Sequence, residues 1–185
     1  MPGLTLGIGE TNPKRGAVQF DGRRIDGVPF VIPSTSEITS APVGSVVTLQ
    51  EFASIGQKIV LGANAYTDGS GNTYSILAIG FLEAASQASA TIDQTVGEYA
   101  TGDMVAMVSD IDAVAMVPMV TGQNPTSGTG AYVDYEGRLS NETASSEVGN
   151  VAFPGVVFFT TPGVQLSGQL KSGYCFAKLT KTMIG

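Results

Sequence analysis

Hydrophobic positions along this chain come in short runs bounded by Gly, Pro or Ser. "AVQF", "GVPFVIP", "SVVTLQEF" and "KIVLGANAY" are rich in β-branched and aromatic residues and read as strands. "YTDGSGNTY" reads as a hairpin turn, because Asp68, Gly69, Gly71 and Asn72 tolerate positive φ between Tyr66 and Tyr74. Farther on, "GDMVAMVSDIDAVAMVP" predicts two apolar strands around a polar "SDID" turn. "GAYVDYEGRLS" predicts a hairpin around Glu136-Gly137, and "VAFPGVVFFTTPG" and "GYCFAKLTKT" predict closing strands. In "YCFAKLTK", Tyr174, Phe176, Lys178 and Thr180 alternate with Cys175, Ala177, Leu179 and Lys181, a pattern that suits an edge or half-buried strand. The Ala-rich stretch Leu82 to Ala90 is the best helix candidate, with "SQASAT" equally readable as a linker loop. The expected class is therefore all-β and mainly antiparallel.

A spaced pattern, G-Q-x4-G-x2-A-Y-x-D-x2-G, occurs at Gly56 to Gly71 and again, ungapped, at Gly122 to Gly137. Upstream, Gly16 to Val28 and Gly102 to Val114 share a first Gly and I-D-x-V. The two blocks lie farther apart in the first half, which reads as an insertion, roughly "STSEITSAPVGS". Chance similarity in a Gly-rich chain competes with duplication, and agreement in spacing as well as residue type favours duplication. The expected organisation is an extended N-terminal arm at 1–13, a first β unit at 14–92 and a second at 93–185, the two free to pack as one body. In this scheme Gly71 and Gly137 supply positive φ, Tyr66 and Tyr132 cover the core edge, and Asp68 and Asp134 bond turn backbone.

Composition sharpens the picture. Among 185 residues, 24 are Gly and only 14% are charged, which favours tight turns between short strands over helices with charged faces. A net charge of −7 argues against general nucleic-acid binding. No Lys or Arg occurs between Lys58 and Arg138, although Glu83, Asp93, Glu98, Asp103, Asp110, Asp112 and Asp134 do. Lys14, Arg15, Arg23 and Arg24 cluster near the start, and the stretch after Glu147 holds no acid. That is either a solvated acidic face with ordinary ends or an acidic outer side with basic termini that meet an acidic partner. "MPGLTLGIGETNPKR" does not read as a signal peptide and no apolar run reads as a membrane span, so synthesis in a cytoplasm is expected.

Candidate chemistry is sparse. The chain has no His, which removes the commonest general base and every Ser-His or Cys-His pair, and its single cysteine, Cys175, excludes an internal disulfide. Asp68, Ser70 and Asn72 have the spacing that opens a calcium loop, but Thr73 replaces the needed Gly and no Glu ends the loop. Asp110 and Asp112, with Asp103 nearby, read as turn carboxylates before an acid–base pair. Met104, Met107, Met116 and Met119 read as core filling, with an adaptable protein surface as the other option. We assign no catalytic, cofactor-binding or metal-binding residue.

The second half reads G-D-x-V, then "AMVPMV", "GTGAYVDYEGRLSN", a Ser/Thr-rich loop, "VGNVAFPGVVF" and "CFAKLTKT". It resembles the small β proteins that decorate or cement the heads of tailed bacteriophages. Gly128, Ala131, Tyr132, Asp134, Gly137 and Leu139 match that family's hairpin, and Val148, Gly149 and Ala152 match its next strand with one residue extra. The likeness covers most of Gly102 to Thr182 and weakly Gly16 to Phe81; the chain is longer than the minimal single-domain members. The resemblance implies a β-barrel or β-tulip-like fold, a homotrimer or other small oligomer, and docking on the major capsid protein at the outer surface of the virion. Contact through Lys14, Arg15, Arg23 and Arg24, no direct nucleic-acid or membrane partner, and no enzyme activity or cofactor are expected with it. A β-rich fibre, tail or glycan-binding host-recognition module is the alternative.

Overall fold

The computed structural model describes residues 18–19, 24–84, 98–120, 126–140, 151–159 and 173–182. The expected arm and Lys14, Arg15 and Arg23 lie outside them. The fold is all-β and mostly antiparallel, with no helix among the described residues. Its strands are β1 (Val18–Gln19), β2 (Arg24–Val31), β3 (Ala41–Pro42), β4 (Val46–Phe52), β5 (Gly56–Leu61), β6 (Ser75–Ala84) and β7 (Glu98–Tyr99). They continue with β8 (Met104–Val108), β9 (Val114–Pro118), β10 (Gly130–Val133), β11 (Leu139–Ser140), β12 (Val151–Phe158) and β13 (Tyr174–Leu179).

Five strands close into a barrel in the order β2-β5-β4-β6-β8. Only β2 and β5 run parallel, Phe30 opposite Ile59 and Val31 opposite Val60; every other pair is antiparallel. Alternation along the strands sends Val47, Leu49, Ala78, Leu82, Val105 and Met107 to the interior, where they pack with Phe30, Ile59 and Leu61. Closure brings β6 hard against β8. A Cβ on Gly80 would lie 2.3 Å from the Val108 carbonyl oxygen, so this strand position requires Gly.

The remaining large sheet runs β1-β9-β13-β12-β10-β11. One parallel bridge, Met119 opposite Leu139, returns β11 to the end of β9, and the Val120 amide donates to the Leu139 carbonyl at 2.9 Å. β9 through β13 therefore form a second ring. Numbering the strands of each ring in chain order, both read one-three-two-four-five, and in both the one–three contact is the parallel one.

The two rings share a core. Val46, Ile79, Phe81 and Val108, on the outside of the barrel, pack with Ala115, Val117, Val133, Val156, Phe158 and Leu179. Buried area of this kind contributes about 25 cal/mol per Å², so the rings stabilise one another. Cys175 lies in this cluster, fully buried, and burial pushes its thiol up to about 12. Native protein at about pH 8 is therefore expected to resist iodoacetamide and to be labelled once unfolded in guanidinium. Labelling of the folded chain within minutes would show that the core opens there.

Several local expectations change. Leu82 to Ala84, the start of the helix candidate, continues β6, because β8 pairs with it through Ala84 opposite Val105; residues 85–90 lie outside the described set. "YCFAKL" is no edge, since β13 sits between β9 and β12. The two strands around "SDID" are present but do not pair with each other: β8 belongs to the barrel and β9 to the second ring. The barrel also takes β8 from beyond residue 92.

Candidate functional site

Both Asp-x-x-Gly hairpins build the same cage of amides. Asp68 Oδ1 accepts from the Ser70 and Asn72 amides, each at 2.9 Å, and Oδ2 accepts from Asn72 Nδ2 at 3.0 Å. Asp134 Oδ1 accepts from the Glu136 and Arg138 amides, each at 2.9 Å, and Oδ2 accepts from Arg138 Nε at 2.7 Å. Gly71 and Gly137 hold φ at 85° and 68° in the two turns, a region that disfavours a side chain. Tyr66 and Tyr132 precede them, both half-buried; Tyr66 packs on Tyr74 with ring centroids 5.3 Å apart.

Each carboxylate is thus turned inward on N–H donors. In the first hairpin the oxygens that could begin a calcium loop face amides. The Asn72 side chain first, then its backbone amide, hold the Asp68 carboxyl below its ordinary 3.8. A lowered carboxyl stabilises the fold above the unfolded value and loses that contribution as pH falls through the folded one. Protection of the Ser70 and Asn72 amides, taken as the exchange rate relative to the intrinsic rate at the same pH, is expected to persist at about pH 4.5 and to fall only under stronger acid. Loss of protection already near pH 5.5 would contradict the cage.

The two hairpins occupy different places in their rings. Tyr66 to Gly71 lies between β5 and β6, the third and fourth strands of the barrel, whereas Asp134 to Gly137 joins β10 to β11, the second and third of the other ring. A different pair of turns is equivalent. Gly44 (φ 95°) and Gly128 (φ 84°) each precede a hydroxyl residue that bonds back three positions. Ser45 donates to the Pro42 carbonyl from its amide (3.2 Å) and Oγ (2.8 Å), and Thr129 donates to the Thr126 carbonyl from its amide (3.2 Å) and Oγ1 (2.6 Å). Pro42 to Ser45 fell in the stretch read as an insertion. It is a rim of the barrel, with its counterpart just before β10. A Gly-Ser or Gly-Thr step ahead of each second strand was the available signal.

The Asp134 hairpin is seated on that barrel rim. The Val46 amide donates to the Gly137 carbonyl at 3.0 Å, and a Cβ on Gly137 would meet Leu61 Cδ1 at 2.7 Å and the Val46 oxygen at 2.8 Å. Asp134 is only 2% exposed, and Arg138 spans its carboxylate and that of Glu136 (3.2 Å). Beside this junction lies a cleft of about 180 Å³ lined by Thr35, Ser36, Glu37, Tyr135 and Glu136 as well as Asp134 and Arg138. Arg138 pairs there with both Asp134 and Glu136, and among the described residues no group of three or more Cys, Asp or Glu is placed to hold a metal ion.

Arg24, the described member of the basic group, lies on the barrel wall, 3.2 Å from both Asp26 and Glu83. Burial raises the Glu83 carboxyl and outweighs the opposing pull of Arg24. Asp112, in the left-handed region at φ 69°, lies 3.4 Å from Lys178. Met107, Met116 and Met119 are buried, while Met104, Ile55 and Ile111 are large apolar side chains left about half exposed. Neither Ile55 nor Ile111 stands out in the sequence, because both follow polar turn residues. Comparison of the chain with models of known protein families and with curated proteins finds no match.

Proposed function

We propose that this protein is a structural virion protein that binds the outer surface of a bacteriophage capsid and clamps adjacent major capsid protein subunits in the mature head. The observation that carries the reading is the "GAYVDYEGRLS" hairpin, on which the resemblance rests: its carboxylate is caged by the turn and Arg138, so its role is to hold shape. A body of two rings on one core, with both hairpin carboxylates satisfied by turn amides, suits grip over bond-making. Internal pressure from packaged DNA pulls capsid subunits apart; a clip touching more than one subunit adds interface area, and multivalent attachment slows its release. Lys14, Arg15, Arg23 and Arg24 are the proposed capsid contacts, a homotrimer the proposed assembled form, and the host cytoplasm the place of synthesis.

The test is co-sedimentation of purified protein with immature and with expanded shells, followed by cryo-electron microscopy of the particle. Binding to expanded shells alone, with density on the outer surface, is the expected result. Density confined to a tail or fibre would replace this reading with the host-recognition one.

A further inference from the structure

The contact between hairpin and rim has two sides, and the chain contains each side twice. In the second ring, the hairpin between the second and third strands seats Gly137 on the barrel rim at Val46. The barrel has its own hairpin at that place, Phe52 to Gly56, closed by the Ile55 amide donating to the Phe52 carbonyl at 2.9 Å, as the Gly137 amide donates to the Asp134 carbonyl at 3.2 Å. Its tip, Ala53 to Ile55, is exposed, and Ile55 keeps 50% of its surface open. The second ring likewise has its own rim. Gly128 and Thr129 exchange hydrogen bonds with Phe158, just as Gly44 and Ser45 exchange them with Leu82. Thr126 through Gly130 are all exposed.

One hairpin and one rim are therefore joined inside the molecule, and one of each is left over among the described residues. The two halves are also complementary in size. In the internal contact the Val46 backbone and Leu61 Cδ1 come so close that the hairpin residue, Gly137, has no room for a side chain. In the leftover pair the hairpin carries Ile55 and the rim carries Gly130, whose Cβ position has nothing within 4 Å. Tip and rim hold no charged residue, so apolar burial and backbone bonds would drive the contact.

We propose that copies of this chain associate head to tail, the Ile55 hairpin of one molecule seating on the Thr126–Gly130 rim of a second copy as Gly137 seats on Val46 within the chain. Such a contact is heterologous: each molecule offers a different surface to each neighbour, so copies close into a cyclic oligomer or extend as a filament, depending on the rotation between them. The inference stands on the fold alone and does not depend on the capsid reading, and its test contains no capsid.

The experiment is sedimentation velocity on the purified full chain across a concentration range, with Ile55→Asp and Gly130→Asp, each checked for parental melting temperature. The parent is expected to assemble. Either variant is expected to weaken assembly by about 100-fold, because an aspartate would be buried against an uncharged surface. Mixing the two variants is decisive: the first retains its rim and the second its hairpin, so the mixture forms dimers although each alone is a monomer. A parent that stays monomeric, variants that assemble as it does, or a mixture that remains monomeric would each overturn the proposal. If one variant fails to fold, loss of assembly in the other still decides between this surface and any other.

Discussion

Gly80→Ala is expected to lower the unfolding free energy by at least about 3 kcal/mol, or to leave no soluble protein. The added methyl would stand 2.3 Å from the Val108 carbonyl oxygen, 2.6 Å from Met107 Cγ and 3.0 Å from the Val108 carbonyl carbon. Met107 could turn aside, but the obstacle that matters is backbone. β8 cannot retreat, because Val108 is also paired with Arg24 of β2, and in a closed barrel each strand is held from both sides. Urea denaturation measures the effect. Gly69→Ala serves as the control, since nothing lies within 4 Å of that Cβ, and a change below about 1 kcal/mol is expected there. Equal midpoints for Gly80→Ala and the parent would mean that the barrel does not close at β6 and β8.

Asp134→Ala is expected to cost about 3 kcal/mol. Its carboxylate satisfies two amides and Arg138 Nε, and the side chain is only 3% exposed, so water does not readily replace it. Arg138, 38% exposed, recovers part of its solvation, which keeps the loss below that of a fully buried pair. The damage extends past the turn, because this hairpin presents the Gly137 carbonyl to the Val46 amide and so joins the two rings. Thermal unfolding should broaden as well as shift. Asp134→Asn, which keeps one acceptor oxygen, should fall between parent and Ala. Asp68→Ala should be milder, since its cage sits on a more open hairpin. Full stability in Asp134→Ala would show that the turn holds itself.

The strands, the turns and the all-β class were legible because they depend on neighbours in sequence. β-branched runs set off by nearby Gly, Pro or Ser mark β2, β4, β5 and β12 in the sequence, and the Asp-x-x-Gly steps form their cages wherever they fall. The same locality made the doubled pattern ambiguous. Asp68 and Asp134 make one kind of turn, yet they sit at different connections of the two rings, because a five-residue turn specifies itself and not its address.

Sequence alone determined the alternation that gives each strand a buried face, the scarcity of charge, and the positions where only Gly or Asp can turn the chain. Tertiary structure decided which strands meet: β8 beside β2, the parallel contacts that close both rings, and the seating of Gly137 on Val46. Strand pairing is made by backbone groups that every residue carries, so its choice depends on how two apolar faces fit across distant parts of the chain. Ile55 shows the consequence: nothing in its neighbours marks it, and only the folded structure leaves half of its surface open at the tip of the β4–β5 hairpin.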